Sequence, residues 1–201
     1  MIFVDGFGEE AFKILDDYPF VKGITTNPTI LKKSKKGFIE AVKTLEKLRG
    51  IHFVQGSLQN LKWIKAIQQV KSEKFIVKLP WDCKQSSKVA KTILDLGFKF
   101  CATAVYKPSQ VISAKYSGAS FVAVYYSRMV VNNMDPREII EFAMEKDLKV
   151  LVASLKTPLQ VESVLKVGDV SVTLPPEVLH RFFTVRFPED DLNTFEGDFK
   201  L

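Results

Sequence analysis

Lys78 stands inside an apolar run, Phe75-Ile76-Val77-Lys78-Leu79-Pro80. An ammonium set among apolar neighbours without a partner is costly and tends to lose its proton. A neutral lysine is a nucleophile, and desolvated amines form Schiff bases with carbonyl compounds, so residue type and setting point to imine chemistry. The same spacing also fits a lysine that ends an edge strand and snorkels to water. Other β-like runs end on polar residues too: Asp5, Thr25-Thr26-Asn27, Gln55, Thr103, Tyr125 and Ser154. Each alone fits an ordinary polar strand end. Gathered on one rim, they would surround the lysine with hydrogen-bonding groups.

A rim requires a fold that brings strand ends together. Short β-branched and aromatic runs alternate with segments of helical period, the pattern of repeated βα units around a parallel sheet. The strands are expected at residues 2–5, 21–25, 52–55, 75–79, 100–105, 120–125, 149–154 and 169–173. Helices are expected at 9–17, 37–49, 61–71, 86–96, 109–117, 136–146, 158–167 and 176–183. Gly50, Gly97, Gly118 and Gly168 follow helices, whereas Pro136, Pro158 and Pro176 open them, two behind the cap residues Asp135 and Thr157. Eight such units within 201 residues, with no linker between them, predict one α/β domain over 1–201, a single-domain (β/α)8 TIM barrel. A doubly wound open sheet is the alternative. Residues 188–201, acidic and then aromatic, are expected to form a terminal helix or arm. A parallel barrel carries its chemistry at the carboxyl ends of its strands, where the polar residues stand.

Composition narrows the classes. The net charge is +6, but the lysines are spread along the chain rather than gathered in a basic tract with interleaved aromatics, which argues against nucleic acid as a partner. A mildly basic surface suits anionic metabolites, and solvated helix faces look the same. The apolar runs are too short to span a bilayer, and Met1 leads directly into a strand-like segment, so no membrane partner and a cytoplasmic location are expected. Cys83 and Cys101 have only His52 and His180 for company, and neither lies at a zinc-type spacing; both read as free thiols, with no metal site.

The segments Gly23-Ile24-Thr25-Thr26-Asn27-Pro28-Thr29, Ile76-Val77-Lys78-Leu79-Pro80, Ala102-Thr103-Ala104-Val105-Tyr106, Val152-Ala153-Ser154-Leu155-Lys156-Thr157-Pro158 and Val172-Thr173-Leu174-Pro175 resemble, in order, the small transaldolases and fructose-6-phosphate aldolases. The resemblance implies a class I aldolase-type barrel whose Lys78 carries dihydroxyacetone as an imine and enamine, with no metal or organic cofactor. It implies that Tyr125 shuttles protons, that Gln55 and Thr103 hold the catalytic water, and that Asp5 binds substrate hydroxyls and favours the cationic iminium. Asp5 also fits a cap on the following helix. Thr25 and Asn27 would orient the dihydroxyacetone hydroxyls, and Arg128, Ser154 and Lys156 would take the phosphate of a sugar phosphate substrate. Relatives form pentamers or decamers clasped by the carboxyl-terminal helix, so a homo-oligomer is implied.

Gln55 and Tyr125 stand where transaldolases of this type generally carry glutamate and phenylalanine, and the segment around Thr103 looks like the aldolase branch. The reading is therefore a fructose-6-phosphate aldolase. The alternatives are a transaldolase that moves a dihydroxyacetone unit between sugar phosphates, and a non-catalytic sugar-phosphate-binding barrel. Departures from the family lie at Gly6-Phe7-Gly8, Ser127, Leu159, the short end after Phe199 and Trp81-Asp82-Cys83. Asp82, if it faced the amine, would stabilise the ammonium and oppose nucleophilicity. Trp81 would narrow the pocket or stack on a substrate.

Overall fold

The β-branched and aromatic runs form eight strands: β1 (Ile2–Asp5), β2 (Val21–Thr25), β3 (His52–Gln55), β4 (Phe75–Pro80), β5 (Lys99–Val105), β6 (Phe121–Tyr125), β7 (Lys149–Ala153) and β8 (Ser171–Leu174). The computed structural model describes residues 1–184 and 189–199. Each strand pairs in parallel with the next, and β8 closes on β1, so the sheet is a barrel and not the open alternative. Closure leaves β4 paired on both sides, with β3 and with β5, which removes the edge-strand explanation of Lys78.

Between the strands run α1 (Glu9–Asp17), α2 (Pro28–Lys33), α3 (Phe38–Glu46), α4 (Trp63–Ile67), α5 (Cys83–Asp95), α6 (Pro108–Tyr116), α7 (Tyr126–Val131), α8 (Pro136–Glu145), α9 (Pro158–Leu165) and α10 (Pro176–Phe183). The cap signals operate as their residue types suggest: Asp135 accepts from Arg137 N at 2.9 Å and Thr157 from Gln160 N at 3.3 Å. Two short helices were not anticipated. One, α2, starts at Asn27-Pro28, where the Asn27 Oδ1 accepts from Ile30 N at 3.0 Å and proline occupies the first helical position. The other, α7, follows β6 without a break and carries Arg128. The expected helix over 61–71 contracts to α4, and its last turns tighten into three-residue hydrogen bonds from Gln69 N to Ala66 O and from Val70 N to Ile67 O. Strand β7 ends at Ala153, one residue before the expected end at Ser154, whose left-handed φ of 63° turns the chain out of the strand. Of the expected terminal arm, α11 (Glu189–Asp198) is helical with Phe195 and Phe199 exposed; Pro188, Lys200 and Leu201 lie outside the described residues. No helix among the described residues is long and apolar enough to cross a membrane.

Alternation along the strands separates two cores. One set, including Val4, Ile24, Val54, Val77, Ala102, Val124 and Val152, packs outward against the helices. The other, Phe3, Phe53, Ile76, Cys101, Phe121, Ala123 and Leu151, fills the barrel with Tyr125 packed against it. Its aromatic rings meet edge to face, Phe3 on Phe53 at 5.1 Å and Phe53 on Phe121 at 5.3 Å. The period of two then fixes the face of the residues above this plug. Asp5, Gln55, Lys78 and Thr103 each lie two residues beyond an interior residue, and Tyr125 four beyond Phe121, so all of them face inward at the carboxyl mouth.

Candidate active site

A cavity of about 650 Å³ opens at that mouth, within the usual size of small-molecule sites. It is lined by Asp5, Asn27, Gln55, Lys78, Tyr125, Arg128, Ser154 and Lys156, contributed by six different strand ends or the loops after them. Burial is graded along its depth: Lys78 is 2% exposed, Asp5, Gln55, Tyr125 and Ser154 are half-buried, and Arg128 and Lys156 are exposed at the rim.

Lys78 is held by little. Its Nζ donates to Thr26 O at 3.4 Å, a long bond, and no carboxylate pairs with it among the described residues. Its register partner on β3 is Gln55, whose Oε1 is buried and has no hydrogen-bond partner. A buried amide oxygen without a donor is costly, so the site is built to receive one from a water or a bound hydroxyl. On β5 the lysine faces Cys101, whose thiol is pushed up to about 12, chiefly by burial.

Tyr125, at the end of β6, lines the cavity two strands from Lys78. Thr103 Oγ1 donates to the Tyr125 Oη at 3.0 Å, so the phenol is fixed in position and keeps its own proton free to donate. The Arg128 guanidinium lies over the same ring, 4.7 Å from its centroid. A short strand-to-helix junction makes this contact possible, because Tyr125 ends β6 and Arg128 lies in the first turn of α7.

Asp5 points into the barrel and does not cap α1; the cap position there is Gly8, with no side-chain bond. Its Oδ1 accepts from Thr25 Oγ1 at 2.7 Å, and Thr25 Oγ1 lies 2.6 Å from Thr173 Oγ1. Thr25 is fully buried beneath the cavity floor, so it holds Asp5 instead of meeting a ligand. Thr103, 1% exposed, likewise acts on the cavity through Tyr125. Asn27 reaches the wall, but its Oδ1 is committed to the α2 cap, leaving the amide nitrogen as its free donor.

The departures around Lys78 resolve away from the cavity. Asp82 caps α5, accepting from Lys84 N at 3.2 Å and Gln85 N at 2.8 Å. Trp81 is buried on the outer side of the sheet, stacked on Phe100 at 5.5 Å with its Nε1 donating to Ser113 Oγ at 2.8 Å, so it neither narrows the pocket nor offers a stacking face. Leu159 is exposed on α9. Sequence reasoning missed Thr29, Lys33 and Glu177, which also line the cavity, and Thr173 beneath it. The Asn27-Pro28 helix-start signal could have found Thr29 and Lys33; Thr173 stands in the quoted segment Val172-Thr173-Leu174-Pro175, but no local pattern there gives it a role.

Fold and site together define a (β/α)8 barrel that gathers polar strand ends around one buried lysine. Residues 61–196 match the family described as Transaldolase/Fructose-6-phosphate aldolase. The chain is 30% identical over 211 residues to a probable transaldolase of Petrotoga mobilis, covering 99% of this chain and 94% of that one. It is 29% identical to a probable transaldolase of Roseobacter denitrificans over 98% of this chain and 95% of the relative, and 28% identical to one of Nitrosopumilus maritimus over 99% and 94%. The chain belongs to the transaldolase/fructose-6-phosphate aldolase family, and is an enzyme of the aldolase/transaldolase type.

Proposed function

We propose that this enzyme reversibly cleaves fructose 6-phosphate to dihydroxyacetone and glyceraldehyde 3-phosphate through a Schiff base on Lys78. The observation that carries the reading is that the Tyr125 phenol, fixed by Thr103, and the unpaired Gln55 Oε1 beside Lys78 line the same cavity. An amide and a phenol together can hold and polarise a water, and a water so placed favours hydrolysis of the intermediate over transfer to a second sugar.

In this mechanism the unprotonated Lys78 amine adds to the C2 carbonyl, and loss of water gives the iminium. The C3–C4 electron pair then flows into the iminium as the C4 hydroxyl gives up its proton, releasing glyceraldehyde 3-phosphate and leaving an enamine. Protonation at C3 and attack of water at C2 return dihydroxyacetone and the free amine. Tyr125 relays the protons, and the Asp5 carboxylate stabilises the iminium charge and accepts from substrate hydroxyls. Asn27 donates to the same end. Arg128, Ser154 and Lys156 take the phosphate, the guanidinium as a planar fork and the ammonium as a point charge.

The names of the relatives support a second reading, transfer of the dihydroxyacetone unit to an aldose phosphate. One assay separates the two. Release of glyceraldehyde 3-phosphate from fructose 6-phosphate alone is the expected result; release only after addition of erythrose 4-phosphate assigns the transferase. Borohydride reduction in the presence of fructose 6-phosphate is expected to leave the adduct on Lys78, read by peptide mass mapping. Calorimetric binding with neither adduct nor turnover would assign a binding barrel.

A further inference from the structure

Two loops at the carboxyl mouth carry the same local device. In each, a strand end is followed by a non-glycine residue at positive φ or contains one: Ala104 (58°) next to Thr103 and Ser154 (63°) next to Ala153. A fully buried apolar residue follows, Val105 or Leu155. Then comes a helix start with proline first and glutamine third, Lys107-Pro108-Ser109-Gln110 into α6 and Thr157-Pro158-Leu159-Gln160 into α9. Both glutamines reach back over their own loop. Gln110 Oε1 accepts from Tyr106 N (2.9 Å) and Lys107 N (3.2 Å), while its Nε2 donates to Trp81 O (2.9 Å) and Ala104 O (3.1 Å). Gln160 Oε1 accepts from Lys156 N (2.7 Å) and Ser127 Oγ (3.1 Å).

Each amide therefore ties its loop to the one before it in the barrel. Gln110 joins the loop after β5 to the loop after β4, and Gln160 joins the loop after β7 to the start of α7. Left-handed backbone at a residue with a Cβ persists only where the surroundings hold it. At Ala104 the ladder between β5 and β6 also slips between Thr103 and Val105, so the bulge sets how Thr103 meets Tyr125. At the second loop Ser154 is itself the strained residue, Lys156 lies two residues on, and Ser127 precedes Arg128.

We propose that Gln110 and Gln160 are positioning residues, Gln110 holding the Thr103–Tyr125 proton-handling pair and Gln160 the phosphate-binding end of the cavity. The proposal rests on the roles given above to Tyr125, Arg128 and Lys156. The two staples differ in chemistry. The partners of Gln110 include two carbonyls and two N–H groups, so an amide is required in one orientation, and a carboxylate would face two carbonyl oxygens. Gln160 only accepts, so glutamate can replace it.

The test uses Gln110→Leu, Gln110→Glu, Gln160→Leu and Gln160→Glu, each checked for folding by circular dichroism. Both Gln110 variants are expected to lower kcat roughly 10- to 100-fold with little change in KM, the scale of a misplaced catalytic group. Ala104→Gly in the Gln110→Leu background is expected to restore part of kcat, because glycine holds positive φ without a clamp. Gln160→Leu is expected to raise KM for fructose 6-phosphate about 10-fold and to weaken calorimetric binding of inorganic phosphate by a similar factor, and Gln160→Glu to restore part of each, its carboxylate keeping both hydrogen bonds while adding a negative charge beside the phosphate. Wild-type kcat in Gln110→Glu, or wild-type phosphate binding in Gln160→Leu, would overturn the assignment of that residue. Should the wild type give neither borohydride adduct nor turnover, the proposed reaction fails by itself. The staples are then decided by phosphate binding and by amide exchange, which is expected to quicken at Tyr106 and Lys107 in Gln110→Leu and would refute the Gln110 staple if unchanged.

Discussion

A carboxylate can only accept hydrogen bonds, and this orders the buried hydroxyls beneath the cavity. Thr25 must donate to Asp5, so in the 2.6 Å contact between the two threonines it is Thr173 that donates to Thr25. The chain runs from β8 through β2 to β1 and fixes one rotamer of Asp5. Thr25→Val removes a donor to a charged group, worth about 1.5–3 kcal/mol, and is expected to cost roughly 10- to 100-fold in kcat if Asp5 acts mainly in the transition state. Thr173→Val is expected to cost less, because Asp5 keeps its direct donor, and Thr173→Ser should match the wild type. Steady-state kinetics with the three variants checks the order; Thr173→Val worse than Thr25→Val would refute it. Lys78, Asp5, Gln55 and Tyr125 were legible as inward residues because a period of two carries them there from an apolar plug. Thr25 was legible as inward but not as buried, since depth depends on how far the neighbouring strands β1 and β3 rise beside it. The roles of Trp81 and Asp82 were not legible at all, because the strand ends at Pro80 and the turn after it decides which way each points.

Strands β2 and β3 form the thinnest seam of the barrel, with a single registered pair, Thr25 with Phe53. A side chain completes it: the His52 Nδ1 accepts from Ile24 N at 3.2 Å, and on the same seam the Ile51 carbonyl lies where a Cβ at Gly23 would stand, 1.8 Å away. Only glycine fits that approach. Burial, first of all, lowers the His52 pKa from 6.5 to about 4, and the nearby Lys74 adds to the shift. The folded state therefore keeps the ring neutral while the unfolded chain takes up a proton at 6.5. Stability is full above pH 6.5 and is lost as pH falls toward 4, by about 3 kcal/mol if this group acts alone. Urea unfolding at stepped pH is expected to show that loss, and His52→Asn, which keeps an acceptor near Ile24 N but does not titrate, is expected to flatten it. An unchanged slope in the variant would assign the acid sensitivity elsewhere. Helices with strong caps, such as those opened by Pro136 and Pro158, were legible from sequence. The short α7 was not, since it continues directly from β6 with no cap residue to announce it.

At the scale of the whole molecule the barrel is a vessel with an aromatic floor of Phe3, Phe53 and Phe121 and a polar upper layer. The eight alternating units made a parallel α/β sheet legible, with closure favoured because eight short units fill one domain, although a doubly wound open sheet also buries both faces of its strands. What the floor does for the upper layer was not legible, since it depends on which residue of each strand stands at the same height. Cys101 lies in that boundary, opposite Lys78 in register, with its thiol protonated at any ordinary pH because burial holds it near 12. Cys83, by contrast, is exposed at the start of α5. Ellman's reagent is expected to titrate one thiol in the native protein and both after denaturation; two fast equivalents in the native state would mean that the floor is open. Under the proposed reaction, a thiolate next to the lysine would add to the released aldehyde and, once protonated, hold it as a hemithioacetal. Sinking Cys101 below the cavity leaves the Lys78 amine, in the proposed reaction, without a competing thiol among the residues that line the mouth.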